Sequence, residues 1–195
     1  MLVKPLAIGQ WTSAQLVAAA AAVIGIAASL LVEPNARGIV GAALAMLMIA
    51  IAAIDARHFI IPDELNIAAL VLAFTNVAIF SNETATEAIP FAIVRGAALS
   101  LVFLGLRIAY RKLRKREGLG LGDVKLAGVA GAWLSWQTIP IAVDLAALPA
   151  LAAYSMRCLT SERGFRTTGR LPFGLFFAPA IWLGWLFETL WLQTP

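Results

Sequence analysis

Two short stretches place an acidic residue where a greasy sequence gives no packing reason for one. They are IAAIDARHF around Asp55, and GLGLGDVK, in which Asp123 follows the alternating glycines Gly118, Gly120 and Gly122. Two carboxylates held close together cannot both ionise cheaply. Their protons leave as a coupled pair, and near neutral pH one group is an acid and the other a base. The base of such a pair activates water and the acid protonates a peptide carbonyl oxygen, which is aspartyl protease chemistry. The bland alternative is that each aspartate ends or begins a helix. For Asp123 the orphan N–H groups and positive dipole end of a helix amino terminus would welcome the anion.

The glycines bear on that choice. A peptide bond inside a helix cannot be cut until it is unwound, and an extended segment beside Gly120 and Gly122 recovers its hydrogen bonds by pairing with exposed backbone. A lone Gly-x-Gly is weak support, since a turn before a helix needs the same residues. Gly-x-Gly-Asp at the start of a span, with a second aspartate at matching depth, is a more specific pattern.

Matching depth depends on the elements that carry the two residues. With 61% hydrophobic and 13% charged residues in 195, and a mean hydropathy of +0.86, the chain falls well below the roughly 25% charge of a soluble domain. It reads as an all-α polytopic membrane bundle, and the apolar runs are Ala14–Val32, Gly38–Ile54, Leu65–Phe80, Ala88–Leu106, Leu126–Met156 and Leu171–Trp191. A bilayer core of about 30 Å takes about 20 helical residues, so these runs make six or seven helices. The fifth run is too long for one helix and short for two. It is expected to break near Ser135–Pro140, with Trp133 and Trp136 at an interface. Lys4 before the first run suggests a signal peptide, but the run exceeds the 7 to 15 residues, roughly, of such a core. The single cysteine, Cys158, excludes an internal disulfide and a tetracysteine zinc site, and is expected to be a small buried apolar residue.

Threading seven spans from an inside amino terminus puts all but Arg37 and Arg95 of the 15 lysines and arginines on the cytoplasmic side. That asymmetry accounts for the pI near 9.7 without any nucleic acid partner. Asp55 and Asp123 then face each other at the cytoplasmic ends of the second and fifth spans. The basic run Arg111–Arg116 is expected to be a loop that meets anionic lipid. Arg95 and Asp144 lie at similar depth near the outer side and are expected to form an ion pair.

Three segments in this order resemble the prepilin peptidases, the GxGD membrane aspartyl proteases that remove leaders from type IV pilin precursors. They are IDARHFIIPDELN at 54–66, GLGLGDVKLAG at 118–128 and LPFGLFFAPA at 171–180. The resemblance implies that Asp55 and Asp123 are catalytic, that the substrate is a prepilin or pseudopilin, and that the site lies at the cytoplasmic face of a bacterial inner membrane. It also implies supporting roles for Gly120, Gly122, Lys125, Asp63, Glu64, Pro172 and Gly174. Asp63 and Glu64 suit the start of a helix after Pro62, and either is suited to meet a basic leader, as are Glu117 and Glu162. Lys125 is expected either to act on the aspartates, to hold a loop carbonyl, or to snorkel. His58 reads as an interfacial hydrogen-bonding residue, and Pro-Phe-Gly as a helix start beside the site. Larger members of the family carry an amino-terminal domain with paired cysteines that binds zinc and methylates the product. The sequence lacks such pairs, so it is expected to be a single peptidase domain over 1–195 of the kind serving Flp or tight-adherence pili, with no cofactor and no metal. Two other readings are a presenilin-like intramembrane protease, disfavoured because Ile54 stands where that group has tyrosine, and a small cation-coupled transporter.

Overall fold

The computed structural model describes residues 12–81, 83–115, 118–160 and 172–192, and within them every element is helical. They are α1 (Ser13–Val32), α2 (Ala36–His58), α3 (Asp63–Phe80), α4 (Ala85–Arg114), α5 (Leu121–Trp133), α6 (Thr138–Thr160) and α7 (Gly174–Phe187), the last continued by a π-helical turn over Glu188–Leu192. Six of these are long and apolar enough to cross a membrane, and α5, at 13 residues, is the short one. At 1.5 Å per residue it reaches about 20 Å, two thirds of a bilayer core of about 30 Å.

Local chemistry sets the ends. Thr12 and Gln15 form a reciprocal cap, the Gln15 N–H donating to Thr12 Oγ1 and the Thr12 N–H to Gln15 Oε1. Asn35 Oδ1 accepts from Arg37 N–H at 2.8 Å to start α2. The other end of α2 runs past Asp55 to His58 and stops at Phe59, which takes the left-handed conformation at φ 56. Pro62 then stands immediately before α3, with φ already preset near −62. His58 is exposed in the last turn of α2, where a cation suits the helix dipole.

Two groups of helices meet along a seam. On one side α1 packs on α2, α2 on α7 and α7 on α6; on the other α4 packs on α5 and α3. The groups join where α2 meets α3 and where α5 meets α7. The buried stripe of α2 runs Leu44, Met48, Ile51, Asp55, the spacing of one helical face, so the aspartate continues a core-facing row. Helix α5 is buried nearly all round, from Asp123 to Trp133. Gly131 lets it touch α4, because a Cβ there would meet the Arg95 carbonyl oxygen at 2.5 Å. On the outer surface Leu16, Val23, Ile39, Ile79, Phe91 and Leu148 point away from the bundle, the belt a lipid-facing protein requires.

Several expectations change here. The basic run is not a loop, because α4 continues through Arg111, Lys112 and Arg114 and ends at Lys115 in the left-handed conformation; Arg116 lies outside the described residues. Trp136 is exposed, but Trp133 is buried and its indole N–H donates to the Ala69 carbonyl at 3.0 Å, since short α5 ends deep against α3. Arg95 does not pair with Asp144. Its Nε donates to the Gly131 carbonyl at 3.2 Å, the carboxylates acting on it are Glu188 and Glu83, and Asp144 is exposed on α6. The cause is packing order, with α4 against α5 while α6 lies on α7. The break in the fifth run does fall between Trp133 and Thr138. The side chain of Cys158 lies outside the described residues.

Candidate active site

Asp55 leaves the last turn of α2 and Asp123 the first turn of α5, and both are buried. They share the lining of a cavity of about 190 Å³ with Phe59, Ile60, Ile61, Asp63, Gly120, Leu121 and Gly122. The fold thus brings together residues 68 positions apart, as the threading predicts (123 − 55). Each carboxylate is anchored through one oxygen by a backbone amide. Asp123 Oδ2 accepts from the Gly120 N–H at 3.0 Å, within its own helix start. Asp55 Oδ2 accepts from the Leu175 N–H at 2.9 Å, at the amino terminus of α7.

That second bond explains the third sequence segment. Phe173 packs its ring against Phe103 and Phe177, with centroids 6.2 and 5.3 Å away, and this fixes where α7 begins. Gly174 follows as the first helical residue, and a Cβ on it would lie 2.9 Å from Asp55 Oδ2 and 2.8 Å from Ile61 Cδ1. Only a glycine there lets the helix end approach the carboxylate. Pro172 stands just ahead, half-buried. The expectation of a helix start beside the site is met, and the start also supplies a donor to the aspartate.

Gly122 lies on the other flank of the same side chain, since a Cβ on it would come within 2.9 Å of Ile61 Cβ. Ile61 is therefore a wedge between the starts of α5 and α7, a part the sequence reading missed. Its only signal was its place in Ile-Pro-Asp.

Lys125 reaches neither aspartate of the pair nor a loop carbonyl. Its Nζ donates to both carboxylate oxygens of Asp63 at 2.7 Å, linking α5 to α3 at the mouth of the cavity. Asp63 opens α3 without capping it, and Glu64 beside it is exposed. Glu117 and Glu162 lie outside the described residues. Arg107, on α4, is near enough for its charge to act on Asp123, a neighbour that the sequence reading counts only among the cytoplasmic-side charges.

Comparison with known proteins identifies the family of the chain. Residues 42–155 match the model of the type IV leader peptidase family. The chain is 33% identical over 132 residues to leader peptidase HopD of Salmonella typhimurium, covering 67% of this chain and 82% of that protein. It is 28% identical over 176 residues to the prepilin leader peptidase/N-methyltransferase of Aeromonas hydrophila, covering 89% of this chain and 59% of that relative. A protein of that same description from Burkholderia pseudomallei is 33% identical over 147 residues, 45% of its length. No solved structure matches the chain significantly. The family match spans both Asp55 and Asp123 and more than half of the residues, so the chain belongs to the type IV leader peptidase family.

Proposed function

We propose that the chain is an aspartyl endopeptidase that removes the leader of type IV prepilins or pseudopilins at the cytoplasmic face of a bacterial inner membrane. The observation that carries this reading is the shared cavity of Asp55 and Asp123 beside the glycine backbone of Gly120 and Gly122. Water is the nucleophile. One carboxylate takes its proton as the oxygen attacks the scissile carbonyl carbon, and the other, protonated, gives its proton to the carbonyl oxygen. On collapse of the tetrahedral gem-diol the C–N bond breaks, the leaving nitrogen takes a proton from the group that acted as base, and a diol hydroxyl returns its proton to the other carboxylate, which restores the pair. Each carboxylate is held by a backbone amide through Oδ2, which fixes the direction of the other oxygen before substrate arrives. An extended substrate pairs with the backbone at Gly120 and Gly122.

The face follows from charge. Arg57, Arg107, Arg111, Lys112, Arg114, Lys115 and Lys125 belong to the helix ends at or beyond the aspartates, and by the positive-inside rule that end is cytoplasmic. Pilin leaders are basic, so the acceptor for the leader is an acid at the mouth. Glu64 fills this role, because Asp63 is engaged by Lys125.

The test is co-expression with a candidate prepilin. Wild type shortens it, whereas Asp55→Asn and Asp123→Asn fold, reach the membrane and leave it intact, with losses of more than about 10³-fold as expected when an acid–base group is removed. Cleavage that survives in both variants ends the dyad assignment. Cation flux without cleavage of any prepilin favours transport.

A further inference from the structure

A second cavity is larger than the one that holds the aspartates. A groove of about 510 Å³ runs between α3, α4 and α5, walled mainly by small and apolar residues such as Ala92, Gly96, Ala97 and Gly128. Asp63 and Lys125 also line it, and Asp63 lines the aspartate cavity too, so the two spaces adjoin at that residue.

One polar group in the groove wall is unaccounted for. Asn66, a turn beyond Asp63 on α3, is 5% exposed, and neither its Nδ2 nor its Oδ1 has a hydrogen-bond partner. Ser100, on the facing helix, is already used, donating to the Val124 carbonyl at 3.1 Å. A buried amide with neither donor nor acceptor satisfied is costly, most of all in a membrane, and is kept where something else completes it. What completes it must offer an acceptor and a donor together. An acyl chain offers neither, and a peptide unit offers both.

A peptide inside a helix, however, has spent its own groups on the helix. Free N–H groups occur at the first turn of a helix, and free carbonyls in the extended stretch just before it. A peptidase substrate whose apolar helix begins after the scissile bond presents both at that junction. On the reading of function above, we propose that the groove receives the apolar segment following the scissile bond. Asn66 pairs there with the backbone where that segment unwinds, presenting extended chain to the cavity of Asp55 and Asp123. Asn66 is thus a positioning residue for the substrate backbone, and the small residues of α4 and α5 leave room for a helix to lie against them.

The experiment uses the full chain in nanodiscs with a synthetic peptide carrying a basic leader, a glycine and an apolar segment of about 20 residues. Two variants are compared with wild type. Asn66→Leu removes the amide, and Ala97→Trp fills the groove from an exposed position without entering the core. Each is expected to raise KM by about fivefold to tenfold, the worth of one or two hydrogen bonds or of a blocked helix face, with a smaller change in kcat. Asn66→Leu is also expected not to lower Tm, since it deletes an unsatisfied buried group. A photo-crosslinking residue at Ile67, on the groove wall, is expected to capture the apolar segment, and less of it in the Asn66→Leu background. Unchanged KM in both variants, or adducts to lipid alone, overturns the proposal. A lowered Tm with unchanged KM for Asn66→Leu makes the amide a structural group and overturns it as well. If wild type captures the peptide through Ile67 but does not cut it, the groove stands and the peptidase reading falls.

Discussion

Asp55 is crowded on one side by the start of α7, and a single methyl group there is a sensitive probe of the site. In Gly174→Ala the new Cβ meets Asp55 Oδ2 at 2.9 Å and Ile61 Cδ1 at 2.8 Å, so either the carboxylate or the helix end must move. Cleavage is expected to fall by about 10²-fold, the usual scale for a small displacement of a catalytic group, while the protein stays folded in detergent. An unaltered kcat in that variant would show that the Leu175 amide does not set the geometry of Asp55. Gly122→Val crowds Ile61 from the opposite flank and is expected to impair cleavage with both aspartates still present. At this scale the two aspartates were legible because charge is conspicuous in an apolar chain. The Leu175 amide was not, since a backbone donor has no side-chain signature and lies 120 residues from its acceptor.

The salt bridge of Lys125 and Asp63 ties one element to another. Both side chains are more than half exposed, so the pair adds little to stability, about 0.2–1 kcal/mol in a double-mutant cycle. Lys125→Ala frees the Asp63 carboxylate to meet a basic leader and is expected to lower KM while leaving the shape of the pH–rate profile as in wild type, because the lysine's contact is Asp63. A profile displaced along the pH axis in that variant would return Lys125 to the aspartates. Helix boundaries divided along similar lines. The start of α3 and the break after Trp133 were visible as Pro-Asp-Glu and as a run too long for one helix. The extension of α4 through Arg114 was hidden, because a basic segment leaving the membrane reads as a loop although its residues are good helix formers. Trp133 was misjudged for a related reason. An indole N–H serves equally well at a wet interface or against a buried carbonyl, and only the neighbour decides.

For the molecule as a whole, the threading turns on α5. Its start meets Asp55, while Ser135, two residues past its far end, donates its N–H to Glu188 Oε1 at 2.6 Å, so α5 and α7 run in the same direction from the aspartates to the opposite end. Single cysteines in a Cys158→Ser background test this. A cysteine at Glu83 or Gln137 is expected to react with an impermeant maleimide from outside intact cells, and one at Lys112 only after permeabilisation. Labelling at Gln137 only from within would make α5 re-entrant. The sequence alone determined the membrane environment, the helical class and the two aspartates at matching ends of their helices. Those follow from composition, apolar period and the distribution of charge, each a property of one segment at a time. Tertiary structure decided which backbone amides hold the carboxylates, that Lys125 pairs with Asp63, that Arg95 turns to Gly131 rather than Asp144, and that Asn66 stays without a partner. These depend on which helices become neighbours, and in an apolar chain nearly every helix face is hydrophobic enough to fit several partners. Close approach at small residues and the few polar groups then select among them.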